Sequence, residues 1–180
     1  MIVDVGTGDG RSVLRRAAAQ PTALVIGVDA SAAGLAQASR RAARRGPANA
    51  LFFVEAAERL SDSPLCGTGD LVTVLFPWGS LLRGVLGLDA AALAGVASLL
   101  TPSGRVEVLA SVVPSDRIDG LDCLDARSEA TIRAAWRHAR LDLRSMAPAS
   151  MAELAASGSS WARRLGPERP VWRLTGQQLG

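Results

Sequence analysis

The chain opens on an apolar run that passes directly into a turn containing three evenly spaced glycines. Residues 2–5 read Ile-Val-Asp-Val, and residues 6–10 read Gly-Thr-Gly-Asp-Gly. A short apolar segment that ends in glycines and precedes a helical stretch is typical of the first strand and turn of a βαβ unit. This feature favours an α/β fold with parallel strands and predicts a ligand-binding turn at residues 6–10.

Short apolar runs alternate with helical stretches along the rest of the chain. The pattern predicts helices at about 10–19, 31–44, 89–100, 127–138 and 149–157, and strands at 24–28, 51–54, 71–76, 106–110, 141–144 and 171–174. Ser31 is the expected cap of the second helix, and residues 101–104, Thr-Pro-Ser-Gly, are expected to end the 89–100 helix. The two late strands suit an antiparallel end on a mostly parallel sheet.

The composition is that of one folded domain. The chain has 180 residues, of which 48% are hydrophobic and 21% charged, so disorder, collagen and coiled coil are disfavoured. Two cysteines, Cys66 and Cys123, are too few for a disulfide scaffold, and neither stands at a metal-binding spacing. We therefore expect a single domain over residues 1–180, with reduced thiols and no metal site.

The apolar segments do not predict export or a membrane span. The N-terminus lacks a basic region followed by an apolar stretch, which a secretory signal requires. Residues 71–100 are the most apolar part of the chain, and Pro77, Arg83 and Asp89 interrupt them. We expect a cytoplasmic protein that has no membrane partner.

All 20 basic residues are arginine, and they concentrate at the two ends of the chain. Residues 1–45 carry a net charge of +4, residues 46–132 of −6 and residues 133–180 of +5. If the fold brings the two ends together, they form a patch that can hold a polyanion through phosphate contacts. Solvated helix faces explain the same distribution, and charge alone does not separate the two interpretations.

The glycine turn and the ends of the next two strands predict a nucleoside site. Glycines let the backbone approach a ligand closely, and Asp29 stands where a carboxylate can accept both ribose hydroxyls. The glycines are spaced two apart and do not form GxGxxG, which favours S-adenosylmethionine over a dinucleotide. Asp4 or Asp9 can face the ammonium of its amino acid tail. Glu58 extends this site or is an exposed carboxylate at a helix start.

Two tryptophans stand in segments that suit the binding of a nucleobase. Trp78 lies in LFPWGS, residues 75–80, where the fourth strand ends and faces the glycine turn across a crevice. Trp161 lies in SSWARRL, residues 159–165, where one ring beside arginines suits base stacking and phosphate binding. Core packing under the 89–100 helix is the alternative for Trp78, and an amphipathic helix end is the alternative for Trp161.

The remaining candidates are less informative. His138, the only histidine, has no serine or cysteine partner at a suggestive spacing, which argues against a hydrolase. Trp136 and Trp172 are expected to pack in the core or at an edge. A basic ridge ends the second predicted helix and suits either RNA phosphates or a helix C-terminus without a partner; it comprises Arg40, Arg41, Arg44 and Arg45.

These segments together resemble the aminoglycoside-resistance methyltransferases that modify N1 of adenine-1408 in 16S ribosomal RNA. The resemblance covers VDVGTGDG at 3–10, GVD at 27–29, AAER at 56–59, FPWGSLLRG at 76–84, SSWARRL at 159–165 and LTG at 174–176. It implies a class I methyltransferase fold, which is Rossmann-like, with a seven-stranded, mostly parallel sheet and an antiparallel final strand. It also implies S-adenosyl-L-methionine as the methyl donor and 16S rRNA in the 30S subunit as the partner of a monomeric enzyme.

The same resemblance implies a role for individual residues. The donor site would comprise Asp4, Gly6, Gly8, Asp9, Gly10, Asp29, Ala57, Glu58, Pro77, Ser80 and Ser160. Trp78 and Trp161 would clasp the target adenine, while Arg164 and Arg169 would hold the distorted RNA backbone. The ridge of Arg40, Arg41, Arg44 and Arg45 stands where the family carries lysines that dock on rRNA.

The chemistry of the reaction agrees with these residue types. Adenine N1 has its own lone pair, so methyl transfer needs alignment and desolvation and does not need a general base to begin. The base must be found unpaired or drawn out of its helix, which costs roughly a few kcal/mol. Stacking on an aromatic ring, worth about 1–3 kcal/mol per base, can offset that cost. Indole faces also attract the positive charge of the methylated product.

The chain departs from the family in two places. Family members carry a further N-terminal segment, including a hairpin, whereas this sequence starts with Met1 on the first strand, so we expect a domain that lacks this extension. Residues 166–170, Gly-Pro-Glu-Arg-Pro, hold fewer basic residues than in the family. The competing functions are a methyltransferase acting on a small molecule, a non-catalytic module with the donor fold, and a nicotinamide oxidoreductase, which the glycine spacing disfavours.

Overall fold

A computed structural model describes residues 1–119, 121–162, 164 and 169–180, with the side chain of Arg45 also left out of the description. Its centre is one seven-stranded sheet in the order β3-β2-β1-β4-β5-β7-β6. The strands are Ile2–Val5 (β1), Val25–Asp29 (β2), Ala50–Val54 (β3), Gly69–Leu75 (β4), Leu100–Ala110 (β5), Leu141–Pro148 (β6) and Trp172–Gln178 (β7). Only β7 runs antiparallel to its neighbours, β5 and β6. The predicted fold class is therefore confirmed.

Helices cover both faces of the sheet. They are Arg11–Ala19 (α1), Ala32–Arg45 (α2), Gly79–Val85 (α3), Ala90–Ser98 (α4), Ala126–His138 (α5) and Met151–Ala156 (α6), with 3₁₀ helices at Ala57–Asp62 and Pro114–Asp116. The predicted cap is present, because the Ser31 hydroxyl accepts a hydrogen bond from Gly34 N. The apolar residues separate into two clusters. One lies under α1, and the larger one joins the sheet to α3, α4 and α5.

Alternation along β1 sends neighbouring side chains to opposite faces of the sheet. Val3 and Val5 belong to the larger core cluster, whereas Ile2 packs with Val13 of α1 in the smaller one. Asp4 therefore points to the α1 face, beside the start of that helix. The register of parallel pairing places Thr73 of β4 next to it.

α4 ends at Ser98, just before residues 101–104, the segment that was predicted to end it. The structure includes them in β5, where the pairing register with β4 shifts between Gly69 and Leu71. A Cβ at Gly104 would stand 2.7 Å from the Gly69 carbonyl oxygen. Residues 101–104 lie at this shift, between the paired residues Leu100 and Arg105, so they form an irregularity in the ladder. The pattern also missed α3, which is short and begins and ends near glycines.

The remaining tryptophans and cysteines lie outside the site described below. Trp136 is fully buried and donates a hydrogen bond from Nε1 to Val85 O, while Trp172 is half-buried on β7, so both packing predictions are confirmed. Cys66 and Cys123 are exposed and free. Within the described ranges no single helix is long and apolar enough to cross a membrane, and only the pair α3 and α4, bent by 78°, meets that test together.

Candidate active site

A cleft of about 450 Å³ opens beyond the carboxyl ends of β1, β2 and β4. This volume lies within the range of small-molecule sites, and the position is where open α/β sheets bind ligands. Nearly all of the predicted donor and base-stacking residues line it: Asp4, Gly6, Gly8, Asp9, Asp29, Ala57, Glu58, Pro77, Trp78, Ser80, Ser160 and Trp161. The fold thus brings segments more than 150 residues apart in sequence around one cavity.

The glycine turn forms the floor of the cleft. Gly6 has φ +73°, a backbone conformation that favours glycine, and a Cβ there would stand 2.6 Å from Cδ2 of the flexible Leu81 side chain. Gly10 has φ +69°, and a Cβ there would stand 2.6 Å from Ala38 Cβ on α2. Gly10 is not among the residues that line the cleft. Its position indicates a role in packing the turn against α2.

Asp29 is held in a fixed orientation at the end of β2. Its Oδ2 accepts a hydrogen bond from Gly8 N, and its Oδ1 accepts one from Ser31 N, each at 2.8 Å. A carboxylate oxygen can accept more than one hydrogen bond, so both oxygens retain capacity for ligand hydroxyls. The backbone of the glycine turn and the start of α2 therefore orient the group predicted to bind ribose.

Asp4 lies deeper, where the cleft meets the α1 face of the sheet. It is 2% exposed, and its carboxylate accepts hydrogen bonds of 2.6 Å from Ser12 Oγ and Thr73 Oγ1. Burial raises the pKa of Asp4 above its ordinary value, and these hydroxyls, Thr7 and the charge of Arg16 offset only part of that effect. A cation entering the cleft would favour the ionised form of this carboxyl group.

The wall beyond β3 carries two carboxylates in different settings. Glu55 pairs with Arg59 at 2.6 Å and accepts a hydrogen bond from Ala56 N. Glu58 stands in the first turn of the 3₁₀ helix and is half-buried at the cleft. Within the described part of the chain Glu58 has no hydrogen bond or ion pair, so its carboxylate is available to a ligand.

Trp78 projects from a strained turn after β4. Phe76 has φ +53°, which is uncommon for a bulky residue, and its N–H donates to Leu109 O at 2.7 Å. Pro77 is buried, and Trp78 follows it at the start of α3 with 82% of its surface exposed. Trp78 is therefore not a core residue, and the alternative of packing under the 89–100 helix is wrong.

Trp161 reaches the cleft from the segment that follows α6. Three hydrogen bonds order this segment: Ser159 N to Ser157 Oγ, Trp161 N to Ser159 Oγ, and Arg164 N to Trp161 O. The ring is 51% exposed, and the Arg164 guanidinium lies 5.7 Å from its centre. The alternative of an inward-facing ring on an amphipathic helix is therefore wrong. Arg163 and Leu165 lie outside the described residues.

The arginines predicted to hold RNA differ in their exposure and in their contacts within the protein. Arg164 lines the cleft, and Arg40 and Arg44 are exposed on α2. Arg41 is half-buried and donates from Nη1 to Asp9 O at 3.0 Å. Arg169 pairs with Asp116, donates to Ser111 Oγ and is not among the cleft-lining residues. The side chain of Arg45 lies outside the description.

Sequence reasoning missed several polar residues of the cleft. Ser12 and Thr7 line it, and Thr73 supports Asp4 from the neighbouring strand. Ser12 stands two residues after the last glycine, in the first turn of α1, which is the signal that could have identified it. The pairing of Thr73 with Asp4 depends on strand register, which the sequence alone does not give. Ser159 lines the cleft together with the predicted Ser160.

Comparison with known proteins matches one family over nearly the whole chain. A family model described as NpmA, 16S rRNA (adenine(1408)-N(1))-methyltransferase, matches residues 1–178. The 16S rRNA (adenine(1408)-N(1))-methyltransferase of Streptoalloteichus tenebrarius is 35% identical over 98% of this chain and 86% of that protein.

Solved structures agree with the sequence comparisons. The aminoglycoside resistance methyltransferase NpmB1 is 36% identical, with a TM-score of 0.80 over 99% of this chain and 86% of that one. A variant of the adenine-1408 enzyme from Catenulisporales acidiphilia, crystallised with the cosubstrate SAM, is 30% identical. Its TM-score is 0.86 over 99% of this chain and 85% of that one. On this evidence, the chain belongs to the 16S rRNA (adenine(1408)-N(1))-methyltransferase family.

Proposed function

We propose that this chain transfers a methyl group from S-adenosyl-L-methionine to N1 of adenine-1408 in the 16S rRNA of the 30S subunit, and thereby confers aminoglycoside resistance. The observation that carries the proposal is the single cleft that joins a glycine turn and five carboxylates to two exposed tryptophans. The proposal includes a monomeric enzyme that acts in the cytoplasm on the decoding-site helix of the subunit.

The residues of the donor wall fit S-adenosyl-L-methionine. Asp29, already oriented by two backbone N–H groups, would accept the ribose hydroxyls. Asp4 would face the ammonium of the methionine tail, since a buried carboxylate gains most from a nearby cation. Ala57 and Glu58 would contact the adenosine part. We assign the remaining donor contacts to the residues of the cleft that the sequence predicted, namely Gly6, Gly8, Asp9, Pro77, Ser80 and Ser160.

When bound, S-adenosyl-L-methionine supplies a methyl carbon whose bond to sulfur breaks as its bond to adenine N1 forms, leaving a neutral thioether and a cationic 1-methyladenine. The protein's part is to hold N1 in line with that carbon and to exclude water. Trp78 and Trp161 would grip the two faces of the base, because both rings border the cleft and are largely exposed. Neither a proton acceptor nor a nucleophilic side chain is required at N1.

The indole rings suit the product as well as the substrate. The base acquires a positive charge during the reaction, and an indole face attracts a cation by about 0.5–2 kcal/mol depending on solvent exposure. Charge that appears only on the way to product is stabilised more in the transition state than in the starting complex, which accelerates the reaction. Arg164 already lies near the ring of Trp161 and would extend toward the neighbouring phosphate when RNA is bound.

A methylation assay with mapping of the product tests the proposal. Purified protein and labelled donor are incubated with 30S subunits, with free 16S rRNA and with small amine and hydroxyl compounds. We expect label in 30S subunits and a reverse-transcription stop at adenine-1408. Subunits that carry guanine at this position are the matched control and should remain unlabelled. A stop elsewhere, or label in a small molecule alone, would overturn the proposed target.

A further inference from the structure

Three helices form one continuous layer on the side of the sheet that Asp4 faces. α2 contacts the glycine turn through the hydrogen bond from Arg41 to Asp9 O, and α1 follows that turn. On its other side, α1 contacts the segment after α6, since a Cβ at Gly158 would stand 3.5 Å from Ser12 Cα. α1 therefore lies between the basic end of α2 and the segment that carries Trp161.

This layer is much more basic than the opposite one. α1, α2 and α6 contain seven arginines and one acidic residue, Glu153. The helices of the other face, α3, α4, α5 and the 3₁₀ helix at Ala57–Asp62, contain five arginines and three acidic residues. The fold thus brings the basic N-terminal part of the chain to the same face as α6 and the Trp161 segment.

Arg15 lies on α1, the middle helix of this layer, and the described residues include no charged or hydrogen-bonding partner for its guanidinium. It is exposed, and within the described residues it has neither a hydrogen bond nor an ion pair. Arg11, one turn earlier, pairs with Asp9 at 3.4 Å, and Arg16 is half-buried beside a small cavity. The Cδ and Nε atoms of Arg15 lie 3.3 and 3.5 Å from the position of a Cβ at Gly158. Its charge therefore stands beside the segment leading to Trp161.

We propose that Arg15 binds a backbone phosphate of 16S rRNA and links the exposed arginines of α2 to the target cleft, an inference that rests on the proposed function. α2, which carries Arg40 and Arg44, lies on one side of α1, and the segment that leads to Arg164 at the cleft lies on the other. An RNA strand that contacts both sides must pass over α1. A guanidinium without an acidic partner is suited to that phosphate, because no ion pair must break when it binds.

The test compares Arg15→Ala with a matched variant, Arg137→Ala. Arg137 is also an exposed helical arginine without an ion pair among the described residues, but it lies on α5, in the opposite layer. The affinity for 30S subunits is measured at several salt concentrations for both variants and the wild type. Loss of one phosphate contact should weaken binding at low salt several-fold and reduce the slope of log K against log[salt] by about 0.7–0.9.

Further measurements separate RNA binding from other roles of Arg15. Arg15→Lys keeps the charge and should retain most of the affinity, while donor affinity and thermal unfolding should be unchanged in both Arg15 variants. The inference is overturned if Arg15→Ala matches Arg137→Ala, or if it lowers donor affinity or stability instead. A wild-type protein that neither binds nor methylates 30S subunits would instead contradict the proposed function itself, so the two failures are distinguishable.

Discussion

The cleft has one wall of buried, hydrogen-bonded residues and another that carries two exposed tryptophans. On the first wall, Asp4 is 2% exposed, and Asp29 is fixed by two backbone donors. On the second, Trp78 and Trp161 are 82% and 51% exposed. Large aromatic rings with this much apolar surface in water are stabilised when a partner covers them. Asp4 and Asp29 therefore already have partners within the protein, whereas in the proposed function a base covers the tryptophans.

This comparison predicts that the two walls can be disabled separately, with the largest effect from the tryptophans. Trp78→Ala and Trp161→Ala should each lower kcat/KM for methylation of 30S subunits by at least about 100-fold. In the proposed function each ring both stabilises the extruded base and aligns N1, and misplacement alone costs on the order of 100-fold. Donor affinity, measured by calorimetry, should stay within a few-fold of the wild type.

Leu51→Ala is a suitable control for the loss of exposed apolar surface. Leu51 is 51% exposed, like Trp161, but it lies on β3 and not among the residues that line the cleft. Its replacement should leave both donor affinity and methylation close to those of the wild type. Loss of donor affinity in either tryptophan variant would contradict the division of the cleft into two walls.

The second prediction concerns the packing of the glycine turn against α2 and its effect on stability. Gly10→Ala should lower the free energy of unfolding by about 2–3 kcal/mol, because it combines a left-handed conformation with overpacking. A Cβ there would stand 2.6 Å from Ala38 Cβ and 2.7 Å from Phe52 Cε1. Gly8→Ala is the matched control, since Gly8 has φ +58° but would place its Cβ in open space. Urea unfolding should show a smaller loss for Gly8→Ala, about 1 kcal/mol.

The donor wall was also the part of the site that the sequence predicted best. Glycines and carboxylates at strand ends stand in local patterns, so Asp29 and the glycine turn could be placed from spacing alone. The role of Ser12 and Thr73 beside Asp4 depends on the register of two strands and on how α1 packs. The meeting of Trp78 and Trp161 was implied by the family resemblance, since no local pattern joins positions 83 residues apart.

The fold shows the same limit. Strands and helices with clear periodicity were predicted to within a few residues, and Ser31 caps α2 as expected. Residues 101–104 were not predicted to lie within a strand, because the register shift with β4 that includes them depends on how two distant segments pair. Sequence patterns thus identify elements with clear periodicity, and they do not locate a register shift, which depends on how two distant strands pair.

A third prediction tests how much the carboxylate of Asp29 contributes to donor binding. Asp29→Ala should weaken the affinity for S-adenosyl-L-methionine by about 10- to 100-fold, because hydrogen bonds to a charged group are worth about 1.5–3 kcal/mol. Calorimetry measures this loss directly. Asp62→Ala, which removes an exposed carboxylate at the end of the 3₁₀ helix, is the control and should not alter the affinity. Equal affinities for the two variants would argue against the ribose contact.

The smallest expected effect is a pH dependence of stability that originates at Asp4. Burial raises the pKa of Asp4 in the folded chain above the ordinary value of 3.8, so the folded state holds a proton that the unfolded state releases. The stability associated with this proton is fully present below pH 3.8 and is lost as the pH rises through the folded-state pKa. Asp4→Asn cannot titrate. The stability of the wild type relative to this variant should therefore fall as the pH rises above 3.8.

Asp116 provides a comparison of opposite sign, outside the donor wall. Burial alone would raise the pKa of Asp116, but hydrogen bonds from Arg169 and Val113 N, and the charge of Arg169, hold it below 3.8. The contribution of ionised Asp116 to stability is present above pH 3.8 and is lost as the pH falls through the folded-state pKa. Urea unfolding of the wild type, Asp4→Asn and Asp116→Asn is measured from about pH 3 to 7. With rising pH, the stability of the wild type should fall relative to Asp4→Asn and rise relative to Asp116→Asn. The prediction fails if the stability of the wild type relative to Asp4→Asn does not fall with rising pH. In that case the folded chain does not raise the pKa of Asp4, and the donor wall is more open to water than the burial of Asp4 indicates.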